Sequence, residues 1–435
     1  MKLLYQRSAA TPLTSVSIIL PRTGVCLDPP NARGATRIMG RLMFMGAGGL
    51  DNRELSSRLE RLGASMGASL ANDFALFRLE TLTANLDAAL ELFLLSVREP
   101  NFAEGEFQRL QQELLTSWVA DREEHKNMRA QEIYLQQIYG GAPNGYLPDG
   151  TENGLRACTL EHVHGQYGRL FGGNEIFVAV LSDLAEDEVQ RRVANRIELP
   201  RQANGVPYPW DSFTPPNRRG RRVTLLPDSE TNTDELVFGM FSAREKEADW
   251  HIHRLIAFIF GGDMNSRMFR IIRGEHGYSY GASCWYEAMQ GRCPRDQLSP
   301  FSMYTFPAAE FTAEALPLAL RLYEEFVAGG VTEGELKLAQ DALINSHPFL
   351  RDTPAKLLSL KVGHALYGIE SDDDETNRER MLAVRTDDIK VVLQSKHHPG
   401  QLEVVMLGDE NRLMPLAEQI EGVEEIQTVS SPASE

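Results

Sequence analysis

Arg273 and Tyr280 stand seven residues apart around a pair of glycines, Gly274 and Gly277. They belong to Gly261–Glu287, read as GGDMNSRMFRIIRGEHGYSYGASCWYE. The spacing predicts a short amphipathic helix after the two leading glycines, with Met264, Met268 and Ile272 on one face. The later glycines end it, and a strand follows over Tyr278–Trp285. A strong cation at the helix end and a phenol at the strand start then flank a turn where backbone can approach a ligand. An ordinary helix–turn–strand with an exposed Arg and a packed Tyr has the same local sequence. The place of the stretch in the whole chain has to decide.

Other residues with chemical potential are scattered. His162 and His164, His251 and His253, and His397 and His398 either point to different sides of a helix or lie in loops. None is read with a carboxylate at productive spacing, so packing or surface roles are expected and no metal is expected in this chain. Four cysteines are too few and too dispersed for a disulfide framework or a thiolate zinc site. Nucleophile-elbow, P-loop and dinucleotide fingerprints are absent from the sequence.

The elements that must position these residues come in two similar sets. Phe74–Phe93 (FALFRLETLTANLDAALELF) and Phe301–Phe326 (FSMYTFPAAEFTAEALPLALRLYEEF) each read as a strand followed by an Ala/Leu-rich helix. Glu104-Gly105-Glu106-Phe107 matches Glu333-Gly334-Glu335-Leu336 at an offset of 229. Ile138-Tyr139-Gly140 matches Leu366-Tyr367-Gly368 at 228, and EIFVAVLSD from Glu175 matches QLEVVMLGD from Gln401 at 226. Nearly constant offsets in one order imply a duplicated α+β unit. Each copy is expected to be an antiparallel or mixed sheet with helices on one face. The expected boundaries are a first repeat over 1–198, a Pro-rich linker over 199–222, a second repeat over 223–423 and a disordered tail over 424–435. One long helix is expected over Glu104–Tyr139.

Bulk properties narrow the function classes. The 435-residue chain is 42% hydrophobic with a net charge of −17. That acidity argues against nucleic acid as a partner. No stretch approaches ~20 consecutive apolar residues, so no membrane partner is expected and a cytoplasmic location is the default.

The duplication and the Gly261–Glu287 string together resemble the pitrilysin/insulinase/mitochondrial-processing-peptidase family of zinc metallopeptidases, the inverzincins. In that family, GG-x-x-x-S-R-x-x-x-x-x-R, then a Gly and a Tyr seven residues past the last Arg, marks the second half. Here the string reads Gly261-Gly262, Ser266-Arg267, Arg273, Gly277 and Tyr280. The resemblance implies that Arg273 and Tyr280 contact substrate, with Gly261, Gly262, Ser266 and His276 around them. A guanidinium and a phenol both donate to a peptide carbonyl oxygen and to an oxyanion forming there. It also implies that a chain of two repeats forms half of a clam-like chamber around unfolded peptides.

The first half departs from the pattern. The family places H-x-x-E-H on the first long helix, two zinc ligands and a general base. Arg37, Gly40 and Arg41 stand there instead. A guanidinium cannot ligate zinc and Gly supplies no base. Two readings follow. In one, the chain is inactive alone and is the zinc-less subunit of a heterodimeric peptidase, whose homologous partner brings H-x-x-E-H and the zinc. In the other, it is a scaffold or assembly subunit that has left proteolysis, as in the family's respiratory-complex core subunits.

Overall fold

The computed structural model describes residues 1–171, 175–199, 207–369 and 373–429. Two mixed sheets form its framework. The first holds β1 (Lys2–Arg7), β2 (Leu13–Pro21), β3 (Ser65–Leu70), β4 (Phe74–Leu82) and β5 (Phe177–Ser182), in the order β1-β5-β2-β4-β3. The second holds β6 (Arg221–Pro227), β7 (Glu235–Arg244), β8 (Ser279–Tyr286), β9 (Leu298–Pro307), β10 (Glu403–Gly408) and β11 (Val423–Thr428). Its order is β11-β6-β10-β7-β9-β8. Without β11 the two orders superpose strand for strand, with one parallel pair, β1/β5 or β6/β10, in each. The chain is thus a duplicated α+β unit.

The alternation along β4 shows how a sheet is held. Ala75, Phe77 and Leu79 face a core shared with Val16, Ile18, Leu86, Phe93 and the helix Ala35–Leu42. Phe74 and Leu76 face the other way, while Arg78 lies on the solvent side. Central strands are apolar on both faces: Val178 and Val180 of β5 enter the larger core, Phe177 and Ala179 the smaller. Fully burying a side chain of this size contributes about 1.5–3 kcal/mol, so both faces need covers.

The covers are exchanged between the repeats. One compact unit comprises Met1–Val119, Tyr146–Ser212 and His347–Ser371; the other comprises Ala120–Gly145, Phe213–Ser346 and Asp372–Glu435. In the first, Leu358, Val362, Ala365 and Leu366 of the helix Pro354–Tyr367 pack on Leu4, Ile19, Phe177 and Ala179. In the second, the helix Lys126–Ile138 packs on β7 and β10. Its Tyr134 hydroxyl lies 2.9 Å from Ser302 Oγ. Gly239 of β7 makes room for it, since a Cβ there would stand 2.2 Å from that hydroxyl.

Five expectations need correction. The units are not the contiguous segments 1–198 and 223–423, and helices cover both faces of each sheet. Glu104–Tyr139 is two helices, Glu104–Glu124 and Lys126–Ile138, broken at His125 (φ −112°, ψ 81°). The expected linker is structured where it is described: Trp210 is buried in the turn Pro209–Ser212, and Arg221 and Arg222 start β6. Residues 200–206 lie outside the described residues. The expected tail begins with β11, tied to β6 by Glu425–Arg222 at 2.8 Å and by Gln427 Nε2 donating to Thr224 Oγ1 at 2.9 Å. Polar side chains on an edge strand hid it. Residues 430–435 lie outside the described residues.

Candidate functional site

The Gly261–Glu287 string is mostly architecture serving two side chains. Gly261 has φ −155° and ψ 20° and lies against β8: a Cβ there would stand 2.4 Å from the Cys284 nitrogen. Asp263 is extended, so the helix starts later than the periodicity predicts. Met264 therefore precedes it and is 74% exposed, whereas Met268 and Ile272 are buried as expected. Ser266 is turned inward, its hydroxyl donating to the Asp263 carbonyl at 2.5 Å. Arg267 forks onto Glu335, with Nε 2.9 Å from Oε1 and Nη2 2.7 Å from Oε2. Burial pushes the Glu335 carboxyl up, but Arg267 and the Thr332 N–H and hydroxyl outweigh it and leave it below the usual carboxylate range. In the first repeat the matching glutamate, Glu106, accepts from Asn52 Nδ2 at 3.1 Å.

The segment Phe269–Glu275 is wound as a wide, π-type helical turn. Such turns are rare and recur at functional sites. Arg273 leaves it outward, and its guanidinium lies 4.0 Å from the Tyr280 ring centroid and 4.9 Å from that of Phe269. Gly277, at φ 69°, closes the turn. The register of β8 on β9 slips between Ser279 and Ala282, so Tyr280 and Gly281 together oppose Phe306. This is a β-bulge, a device that re-aims a side chain. Ser279 Oγ donates to the Gly281 carbonyl at 2.8 Å, and Thr305 Oγ1 donates to the same carbonyl at 2.9 Å. A Cβ on Gly281 would stand 2.8 Å from the Phe306 ring.

The result is an edge-strand tyrosine left 72% exposed beneath a guanidinium. Among the described residues, neither the Arg273 guanidinium nor the Tyr280 hydroxyl has a hydrogen-bonding or ionic partner. The structure thus brings Arg273 and Tyr280 together. Gly261 and Ser266 face inward and shape the loop, and Gly262 packs near Phe258. His276 is exposed and stacks on Tyr278 at 5.0 Å. Sequence reasoning missed the bulge partners Ser279, Gly281 and Thr305; the Ser-Tyr-Gly triplet after a glycine turn was the available signal.

The first-half positions hold ion pairs. Asp28 fixes the start of the helix Ala35–Leu42 by accepting from Gly34 N at 2.7 Å and Thr36 N at 2.8 Å. Arg37 pairs with Asp149 at 3.0 Å and Arg41 with Glu113 at 2.8 Å. Arg109 joins Glu106 at 2.8 Å and Glu113 at 3.6 Å. Glu106 and Glu113, the carboxylates nearest the family's third-ligand position, are thus engaged by guanidinium groups. Gly40 is packed: a Cβ there would lie 3.1 Å from Ala68 Cβ and Leu70 Cδ2.

His162, His164 and His397 take packing or surface roles, as expected. His162 caps its own helix through Thr159 N at 3.2 Å, and the His164 ring meets Phe102 edge-on at 5.2 Å. His397 is buried between Tyr286 and Tyr323. One expectation fails: His253 does have carboxylates nearby. Its potential ligand atom and those of Glu247 and Asp249 lie within 4.8 Å of one another, the one such group found among the described residues.

Comparison with known proteins gives the family. The family model described as insulinase (peptidase family M16) matches residues 3–145, and that described as the peptidase M16 inactive domain matches 157–343. The chain belongs to the M16 peptidase family. It is an inactive M16 member, with Arg and Gly where the zinc ligands and base would stand. The non-peptidase homolog YmxG of Helicobacter pylori is 20% identical over 86% of this chain and 84% of its own length. An uncharacterized zinc protease of Streptomyces coelicolor is 21% identical over 84% of this chain and 78% of its own. A crystal structure of an M16 inactive domain from Pseudomonas fluorescens aligns with a TM-score of 0.81 at 18% identity, covering 94% of this chain and 95% of that one. A Helicobacter pylori protease aligns at 0.76 and 17% identity, covering 91% and 94%. No helix among the described residues is long and apolar enough to cross a membrane.

Proposed function

We propose that this chain is the zinc-less subunit of a heterodimeric M16 peptidase that degrades peptides. A homologous partner carrying H-x-x-E-H supplies the zinc and the general base. Arg273 and Tyr280 bind the substrate carbonyl and stabilise the oxyanion formed on attack. The observation that carries this reading is the pair itself. The wide turn, the Gly277 turn and the bulge all position two side chains whose donors no described residue uses. An exposed tyrosine on an edge strand also leaves room for an extended peptide to add by backbone pairing. We place the pairing in the cytoplasm, which the buried thiols of Cys26, Cys158 and Cys284 suit.

The test is reconstitution. Alone, the chain should cleave no quenched-fluorescence peptide, with or without added zinc. Mixed with a homologous chain that bears H-x-x-E-H, it should give activity. Tyr280→Phe should then lower turnover by about 10- to 1000-fold, the scale of one lost oxyanion donor. Turnover unchanged by Tyr280→Phe would favour the scaffold reading. That second reading has one observation behind it: the ion-paired Arg41–Glu113–Arg109–Glu106 group where a metal site would be.

A further inference from the structure

Two carboxylates and one imidazole gather at the start of the helix Trp250–Ala257. Asp249 precedes the helix, His253 lies one turn along it, and Glu247 stands two residues before Asp249. His253 is fully buried, 0% exposed, while both carboxylates reach solvent. Its Nδ1 is 2.7 Å from the Tyr286 hydroxyl, which lies 3.1 Å from His397 Nε2. His397 Nδ1 in turn lies 2.9 Å from the Tyr323 hydroxyl. This buried chain fixes the His253 ring and occupies one of its nitrogens. The other nitrogen, Nε2, has no hydrogen-bond partner. It is aimed at Asp249 Oδ2, 3.9 Å away.

That gap is too long for a hydrogen bond. It suits two ligands of one ion, since atoms each ~2.1 Å from a metal sit roughly 3–4 Å apart. The site already gathers positive charge. Lys396 Nζ pairs with Glu247 and lies 3.3 Å from Asp249, and Arg244 Nη1 lies 3.4 Å from Glu247. Lys396 ends the helix Thr386–Lys396 on a flexible, half-buried stem, so its ammonium can withdraw to solvent.

We propose that Glu247, Asp249 and His253 form a divalent-cation site of the zinc, cobalt or nickel class, with Lys396 as a cationic plug that the ion displaces. Two carboxylates and one imidazole suit these borderline ions better than magnesium or calcium, which take all-oxygen shells. Tyr286 is the positioning residue that orients the imidazole. The site uses none of the H-x-x-E-H positions and departs from the expectation that this chain holds no metal.

Cobalt(II) titration of the full chain, followed calorimetrically and by ligand-field absorption, tests it. Lys396→Met should bind one equivalent about tenfold or more tighter than the wild type. Adding Asp249→Asn, a partly exposed position that leaves the core intact, should abolish the binding. Tyr286→Phe in the Lys396→Met background should weaken it by about 10- to 100-fold. The absence of saturable one-equivalent binding in Lys396→Met overturns the proposal. So does binding that survives Asp249→Asn.

Discussion

Arg267 and Arg273 lie six residues apart in the same string and do opposite work. Arg267 is spent: its fork holds Glu335, its Nη2 reaches the Gly330 carbonyl at 3.2 Å, and its plane lies over Phe326. Arg273 touches only rings. A sequence motif cannot separate the two, because both are arginines at fixed spacing; the separation comes from which carboxylate the fold brings near. Arg267→Ala should therefore destabilise the fold by about 1–2 kcal/mol at pH 7, allowing for partial solvent screening. Because the folded Glu335 carboxyl lies below its unfolded value, its contribution is present above roughly pH 4.3 and lost as pH falls through the folded value. Thermal melts from pH 7 to pH 3 should show the gap between wild type and Arg267→Ala shrinking. A constant gap would remove Glu335 from the account. His253 was the residue most undervalued by sequence: Asp249 at four residues before it was visible, but its burial and ring orientation were not.

At the scale of elements, alternation and glycine punctuation were legible, and the paths between elements less so. β2, β4 and β5 were readable because a face buried against helices must alternate or run continuously apolar. β11 was not, since an edge strand with Glu424, Glu425 and Gln427 has the composition of a tail. The Tyr280 bulge was hidden because one extra residue leaves no period to detect. The break at His125 was hidden because both flanking helices are amphipathic, and a stripe says that a face is buried without saying against which sheet. Close approaches at glycines give this scale its sharpest test. Gly239→Ala would drive a methyl into the Tyr134 hydroxyl and the Phe301 carbonyl, which lies 2.4 Å from the built Cβ. Such overpacking costs about 1–3 kcal/mol, readable in urea denaturation. Gly105→Ala, with nothing near its built Cβ, is the control and should not lower stability.

Taken whole, the duplication was legible from offsets that drift by only a few residues, and the family resemblance came with it. The exchange of covering helices was not, because repeats in sequence need not be units in space. It makes a direct prediction. Residues 1–198 expressed alone lack the helix Pro354–Tyr367 and leave Leu4, Ile19, Phe177 and Ala179 uncovered. That fragment should bind a hydrophobic dye and aggregate, and a peptide spanning 347–369 added in trans should suppress both. A monodisperse, dye-silent 1–198 fragment would show that the sheet needs no second cover.

The same exchange sets a schedule during synthesis. The first sheet is complete in sequence once β5 has left the ribosome, yet its cover is encoded roughly 170 residues later, a delay of about ten to thirty seconds at ordinary elongation rates. Through that interval an apolar face built to meet a helix has none. The nascent chain must either be shielded by a holding factor or wait in a loosened state. The helix that covers the first sheet is also encoded ahead of β10 and β11, the last strands of the second.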